Sequence, residues 1–216
     1  MPTARDSLLD AASAALGDRP WTAIRMVEVA AAAGVSRQTL YNEFRSKEGL
    51  ARALVRRESD SYLAGVDRAL ALARSGGADA GECFAAAAGW TLRTARRSAL
   101  VRAALIGAAD PRPARPDPDN DRAGDPDAAS PAVLPDLVSA LHARTVAALD
   151  AQFPQLRHGA GPPRAAGAAG SDIAWACEAA VRLTLSYVIA PAPSDEAACL
   201  RVAQLVRSLL CRPDGR

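Results

Sequence analysis

The side chains best suited to recognition chemistry lie close together in one stretch, Val27 to Leu50, which reads VEVAAAAGVSRQTLYNEFRSKEGL. Leu40 and Phe44 are four apart, so on a helix they share one inward face. Arg37, Gln38, Thr39 and Asn42 fall away from that face and present a guanidinium, two amides and a hydroxyl outward. The guanidinium fork suits guanine O6 and N7, and the amides of Gln38 and Asn42 suit adenine N6 and N7. Thr39 and Tyr41 can reach a phosphate or a thymine methyl group. Arg25 puts a cation at a helix start, where a phosphate can lie.

The surrounding residues form the elements that hold this face. Val27–Ala33 reads as a short helix, with Ala30 and Ala33 small enough for another helix to approach. Gly34 breaks it, because a tight turn needs φ > 0 and glycine has no Cβ to clash. Val35 plugs the turn into a core, and the Ser36 hydroxyl can cap the next helix by accepting an orphan backbone N–H. A helix, a glycine turn and a second helix with a polar outer face make a helix-turn-helix. The pattern AxxAGVSxxTLYxxFxSKExL, here Ala30–Leu50, resembles the signature of TetR/AcrR-type transcriptional regulators. The resemblance spans roughly Asp6–Arg57; the rest of the chain matches only in being helical. It implies a DNA-contact set of Arg25, Ser36, Arg37, Gln38, Thr39, Tyr41, Asn42 and Lys47, with Lys47 as a phosphate clamp. Glu43 departs from the family pattern, where His or Tyr is common. A carboxylate repels phosphate, so Glu43 is expected to turn away or to pair with Arg37 or Lys47.

Composition sets the bounds. The chain has 216 residues, half of them hydrophobic, and a formal net charge of +2. Alanine dominates, which favours helix, and only nine residues are aromatic, which disfavours a β-rich fold. From Met1 to Asp60 there are nine basic and eight acidic residues, so bulk charge gives no basic footprint. MPTARDSLL lacks the apolar run of a signal peptide, and no stretch approaches a membrane helix. Cys83, Cys177, Cys199 and Cys211 are scattered without a CxxC, as expected of reduced thiols in a cytoplasmic protein with no metal and no cofactor. No HExxH, GxSxG, phosphate-binding loop or dinucleotide fingerprint appears, and the histidines are His142 and His158 alone. The chain is therefore not expected to be an enzyme.

In order, the first helix runs from Thr3 or Ala4 to Leu16, with Gly17 ending it. Trp21 and Ile24 seal the N-terminal core. A long helix then runs from Ser46–Lys47 to about Ala73, placing Leu50 and Leu54 in one core and Leu63, Val66 and Leu70 in another. Helices follow from Asp79 to about Ala95, from Ser98 to about Ala108 and from Val133 to about Phe153. Residues 110–131 hold six prolines and six aspartates and read as a mobile loop, and 154–170 as a linker. The final pair is Asp172–Ala190 and Ser194 to about Cys211. The first of these reads as almost apolar all round, which requires cover on every side. A second copy of the pair supplies that cover in a two-fold four-helix interface, with Trp175, Ala176, Ala179, Leu183, Val202, Val206 and Leu209 in it.

The fold expected is all-α: a three-helix helix-turn-helix domain over residues 1–50, joined by a long helix to a helical ligand-binding and dimerisation domain over residues 51–216. The resemblance implies a small effector bound among the central helices of the second domain. Cys83, Phe84, Trp90, Leu105, Leu141, His142, Trp175 and Tyr187 are its candidate lining, and the scarcity of charge there favours an apolar or amphipathic molecule. The function expected is a ligand-responsive regulator, a repressor that binds a palindromic double-stranded DNA operator as a homodimer. The alternative is a helical small-molecule-binding protein without sequence-specific DNA recognition.

Overall fold

The computed structural model describes residues 3–107, 137–154 and 171–210, and these are helical with no strand among them. The loop expected at 110–131, most of the linker expected at 154–170, His158 and Cys211 lie outside the described residues. The chain divides into two compact units, Met1–Glu58 and Ser59–Arg216.

The first unit begins with α1, Ala4–Asp18, whose start is a capping box: the Thr3 side chain accepts from the Asp6 backbone while the Asp6 side chain accepts from the Thr3 backbone. The Thr3 hydroxyl, donating to Asp6 Oδ2 at 2.7 Å, and then the Thr3 backbone N–H hold the Asp6 carboxyl below its ordinary pKa. Leu8, Leu9 and Ala12 are its buried face. Gly17 does not end the helix as expected. It lies within the last turn, which closes when the Arg19 N–H reaches the Ala15 carbonyl. A 3₁₀ turn at Trp21–Ala23 leads to buried Ile24, while Trp21 is only half-buried. α2, Met26–Ala32, has Arg25 at its N-cap with no side-chain cap bond. It ends on Gly34 at φ +68, with the Gly34 N–H bonded to the Ala31 carbonyl and the Val35 N–H to the Ala30 carbonyl. That is the Schellman arrangement, in which the position after the cap requires positive φ. α3, Arg37–Phe44, buries Leu40 and Phe44.

α4, Lys47–Ser75, is one unbroken helix of 29 residues, and the division between the units falls within it. Leu50 and Leu54 are buried in the first unit. Tyr62, Leu63, Val66 and Leu70 belong to the core of the second.

The second unit adds α5 (Ala80–Arg97), α6 (Ala99–Leu105), α7 (Leu137–Gln152), α8 (Ser171–Ile189) and α9 (Asp195–Leu210). Asp79 and Glu82 form the capping box of α5, and Ser98 caps α6. α5 and α9 pack closely because α5 carries Gly81 and Gly89 on the shared face. A Cβ on Gly81 would lie 2.7 Å from the Ala203 carbonyl oxygen, and one on Gly89 would lie 3.2 Å from Cys199 Sγ. Buried hydroxyls are satisfied locally: Thr91 and Thr184 donate to carbonyls four residues back, and Tyr62 shares a 2.9 Å hydrogen bond with Thr91.

α8, expected to be almost apolar all round and to need cover on every side, has one buried side and one exposed side. Ile173, Ala176, Cys177, Ala180, Val181, Thr184 and Val188 turn into the chain's own core. The opposite face carries Trp175, Glu178, Arg182, Ser186 and Ile189, with Glu178 and Arg182 paired at 2.7 Å. A helix whose apolar residues exceed one face still needs only one buried side when charges occupy the other. No helix among the described residues is long and apolar enough to cross a membrane.

Candidate nucleic-acid interface

The outward face of α3 is built from its start. Ser36 Oγ accepts from the Thr39 N–H at 3.0 Å and lies 2.8 Å from the Thr39 hydroxyl, so its hydroxyl is engaged in capping. With Leu40 and Phe44 fixed inward, Arg37, Gln38 and Asn42 are exposed and Thr39 and Tyr41 half-buried. Gln38 Nε2 donates to Asn42 Oδ1 at 3.0 Å. This pairing at i,i+4 holds two amides side by side and leaves the Gln38 carbonyl and the Asn42 amide N–H to face outward. The Arg37 guanidinium lies over the Tyr41 ring, 5.4 Å from its centroid. The stack restrains a flexible cation at the outer edge of the helix.

Lys47 opens α4. Its Nζ donates to the Thr22 carbonyl at 3.4 Å and lies 5.6 Å from the centre of the Trp21 ring. One donor is used, and the ammonium retains others for an anion. Arg25 pairs with Glu28 at 3.3 Å, and Glu28 also meets Arg19 at 2.7 Å.

Glu43 does not pair with Arg37 or Lys47. Its partner is Arg5 of α1, 3.6 Å away, and the Arg5 guanidinium lies 4.7 Å from the centre of the Phe44 ring. The sequence reading missed Arg5, because nothing local signals that the first turn of α1 reaches the end of α3. It also passed over Arg45, the residue that ends α3.

The expected effector lining is dispersed. Phe84, Leu105 and Leu141 are packed in the core of the second unit, and Trp90 and Tyr187 lie at its margin. Cys83 is buried 3.5 Å from Gln152 Oε1, and burial pushes its thiol pKa up. His142 Nε2 is 3.0 Å from the Ala174 carbonyl. Trp175 is corrected: it is 57% exposed on the outer face of α8 and lines no interior. A cavity of about 190 Å³ has both apolar and charged walls, among them Leu92, Val188, Arg96, Arg102 and Asp195, and Tyr187 alone of the expected residues borders it.

The expected dimer residues also divide. Ala176, Val202 and Val206 are fully buried within the single chain, so they cannot meet a second copy. They fell into the set because apolar periodicity marks a buried face without saying what covers it. Ala179, Leu183 and Leu209 are half-buried. Trp175, Ile189 at 65% exposure and Leu200 at 56% are the large apolar side chains that α8 and α9 present outward. Among the described residues no group of His, Cys, Asp and Glu is placed to hold a metal ion.

Residues 8–54 match the family model described as bacterial regulatory proteins, tetR family. A 66-residue stretch is 48% identical to the HTH-type transcriptional regulator AlkX of Mycobacterium tuberculosis (strain ATCC 25618 / H37Rv), covering 31% of this chain and 31% of that protein. The likeness to that relative therefore spans under a third of its length. Over nearly the whole chain the fold is shared with solved structures. The TetR family repressor AlkX from Dietzia sp. strain DQ12-45-1b superposes with a TM-score of 0.55 at 21% identity, covering 94% of this chain and 96% of that one. Thermus thermophilus FadR, a TetR-family repressor in complex with lauroyl-CoA, gives 0.55 at 19% identity over 98% and 100% of the two chains. A TetR-family regulator from Streptomyces coelicolor gives 0.56 at 16% identity over 97% and 80%. At these identities the likeness is one of fold.

Proposed function

We propose that this chain, a TetR-family regulator by its helix-turn-helix and its fold, is a homodimeric repressor working in the cytoplasm that leaves a palindromic operator when a small apolar or amphipathic effector binds. The observation that carries the DNA-binding part is the face of α3, where Arg37, Gln38 and Asn42 are exposed over buried Leu40 and Phe44. Supporting the dimer is the outward apolar set Trp175, Ile189 and Leu200 on α8 and α9. A two-fold dimer would place two recognition helices on half-sites one DNA turn apart, or a related spacing.

The effector class is supported by the apolar core of the second unit and by two proteins of the same fold. One is implicated in biodegradation of n-alkanes, and another was solved with lauroyl-CoA. α4 is the means of coupling. At 1.5 Å per residue its 29 residues make a rod about 44 Å long. A ligand wedged in the second unit tilts such a rod more readily than it compresses it, and the tilt alters the spacing of the two α3 helices. DNA and effector then weaken each other's binding by one common factor.

The deciding experiment is selection of bound fragments from genomic DNA, followed by titration of the recovered operator. A specific-to-nonspecific ratio above about 10³ is expected. Arg37→Ala and Gln38→Ala should relax preference at particular base pairs by about 1–3 kcal/mol, while Lys47→Ala should weaken all sequences alike. Binding without sequence preference would instead favour a helical small-molecule-binding protein.

A further inference from the structure

α3 ends in an unusual way. Arg45 has φ 62 and ψ −48, and it is the one non-glycine residue at positive φ among those described. The Ser46 N–H donates across it to the Phe44 carbonyl at 2.6 Å. A three-residue turn of this hand is rare and strained for a residue with a Cβ. It is also crowded: a Cβ on Gly49 would lie 1.9 Å from the Phe44 carbonyl oxygen, so α4 can start this close to the turn only because position 49 lacks one. Glycine would relax position 45 as well, yet the chain places arginine there.

The arginine side chain contributes nothing to the fold that would offset this. It is exposed, and among the described residues it has no hydrogen bond, ion pair or ring contact. Its neighbours differ. Arg5 is held by Glu43 and Phe44, Arg37 lies over Tyr41, and Lys47 is tied to Thr22. An exposed cation in a strained backbone position, with no polar or ring partner among the described residues, is open to a partner outside the chain.

We infer that Arg45 is a phosphate-contacting residue of the DNA interface, a sequence-independent anchor at the end of α3, on the reading that α3 enters the major groove. The charge sits between the base-reading face of α3 and the start of α4, where Lys47 lies. The positive φ reverses the chain there, between the end of α3 and the start of α4. A contact at that point meets the sugar-phosphate backbone flanking the groove and sets the register of the helix without reading sequence.

The test pairs Arg45→Gly with Arg45→Lys and measures thermal stability and binding to a mixed-sequence DNA duplex of about three helical turns. Arg45→Gly relieves the turn, so its Tm should equal or exceed that of the unsubstituted protein. Its affinity should nonetheless fall about threefold to tenfold, and the slope of log K against log salt should flatten by about 0.9 for each engaged domain. Arg45→Lys keeps the charge and should bind within about twofold of the unsubstituted protein. Unchanged affinity and slope for Arg45→Gly, under conditions where Lys47→Ala weakens binding, would overturn the assignment and leave the DNA-binding reading intact. A fall in Tm for Arg45→Gly would overturn it too, since the side chain would then be structural. Folded, unsubstituted protein with no salt-dependent affinity for any duplex would overturn the repressor reading itself.

Discussion

Replacing Gly65 with alanine should destabilise the second unit, against the usual preference of helices for alanine. Gly65 lies on α4 beneath Trp90 of α5. A Cβ there would lie 2.1 Å from both Trp90 Cε2 and Cζ2 and 2.5 Å from Nε1, where carbon contacts are ordinarily about 3.5–4.0 Å. The indole would have to move by more than an ångström. It is not free to do so at no cost, because its Nε1 donates to the Tyr62 carbonyl at 3.0 Å. Losing that bond costs about 1 kcal/mol, and overpacking of this kind costs about 1–3 kcal/mol. The helix gains about 1 kcal/mol when alanine replaces glycine. The net expectation is a loss of about 1–3 kcal/mol, read as a lower urea midpoint by circular dichroism at constant m. In a Trp90→Ala background the obstacle is gone, and the same Gly65→Ala change should stabilise by up to about 1 kcal/mol. An equal effect of Gly65→Ala in the two backgrounds would refute the packing account.

Three further outcomes follow from the geometry. Glu43→Gln removes a carboxylate from the end of α3 and releases Arg5; nonspecific DNA affinity should rise a few-fold in gel-shift titrations, with under about 1 kcal/mol lost in stability because the pair is exposed. Trp175→Glu and Leu200→Glu should shift sedimentation from dimer to monomer with the fold intact, because both side chains are exposed in the single chain; a dimer that persists in both variants would place the interface elsewhere. The Asp79 cap should give a pH signature. Burial raises its pKa, but the Arg207 side chain and the Glu82 backbone outweigh burial and bring it below 3.8. A depressed carboxyl stabilises the fold above its unfolded pKa and loses that contribution as pH falls through the folded one. Asp79→Ala should therefore cost about 1 kcal/mol near neutral pH, and its deficit should shrink when unfolding is repeated in acid well below 3.8.

Much of this was legible in the sequence where local rules act alone. Gly34 and Ser36 fixed the turn and the start of α3, because a positive-φ position and an N-cap are decided by adjacent residues. The inward Leu40 and Phe44 followed from spacing. Periodicity went wrong where the question was what covers an apolar face. It showed that Val202 and Val206 are buried but not that their cover is the same chain. Nor could it show that Arg5 of α1 meets Glu43, a contact made by residues far apart in sequence. The Arg45 conformation was hidden for another reason: arginine carries no local preference for positive φ, so the strained turn is imposed by the join between two helices.

The same limit applies to the electrostatics of the N-terminal unit, Met1–Glu58, which carries nine basic and seven acidic side chains. Read as a sum, that is almost neutral and gives no reason to expect DNA binding. The arrangement differs from the sum. Arg5 pairs with Glu43, Arg19 and Arg25 with Glu28, and Arg57 with Asp10. Those pairs neutralise carboxylates that would otherwise repel a phosphate backbone. Arg37, Arg45 and Lys47, at the start of α3, its end and the start of α4, make no ion pair among the described residues. At the two ends of α3 and the start of α4, cations thus stand without an ion pair in a nearly neutral stretch. If Arg37, Arg45 and Lys47 each meet a phosphate, few counterions are released, about 0.9 per phosphate neutralised. Nonspecific affinity is then expected to be weak, and preference for a particular sequence to rest on the base contacts proposed for Arg37, Gln38 and Asn42.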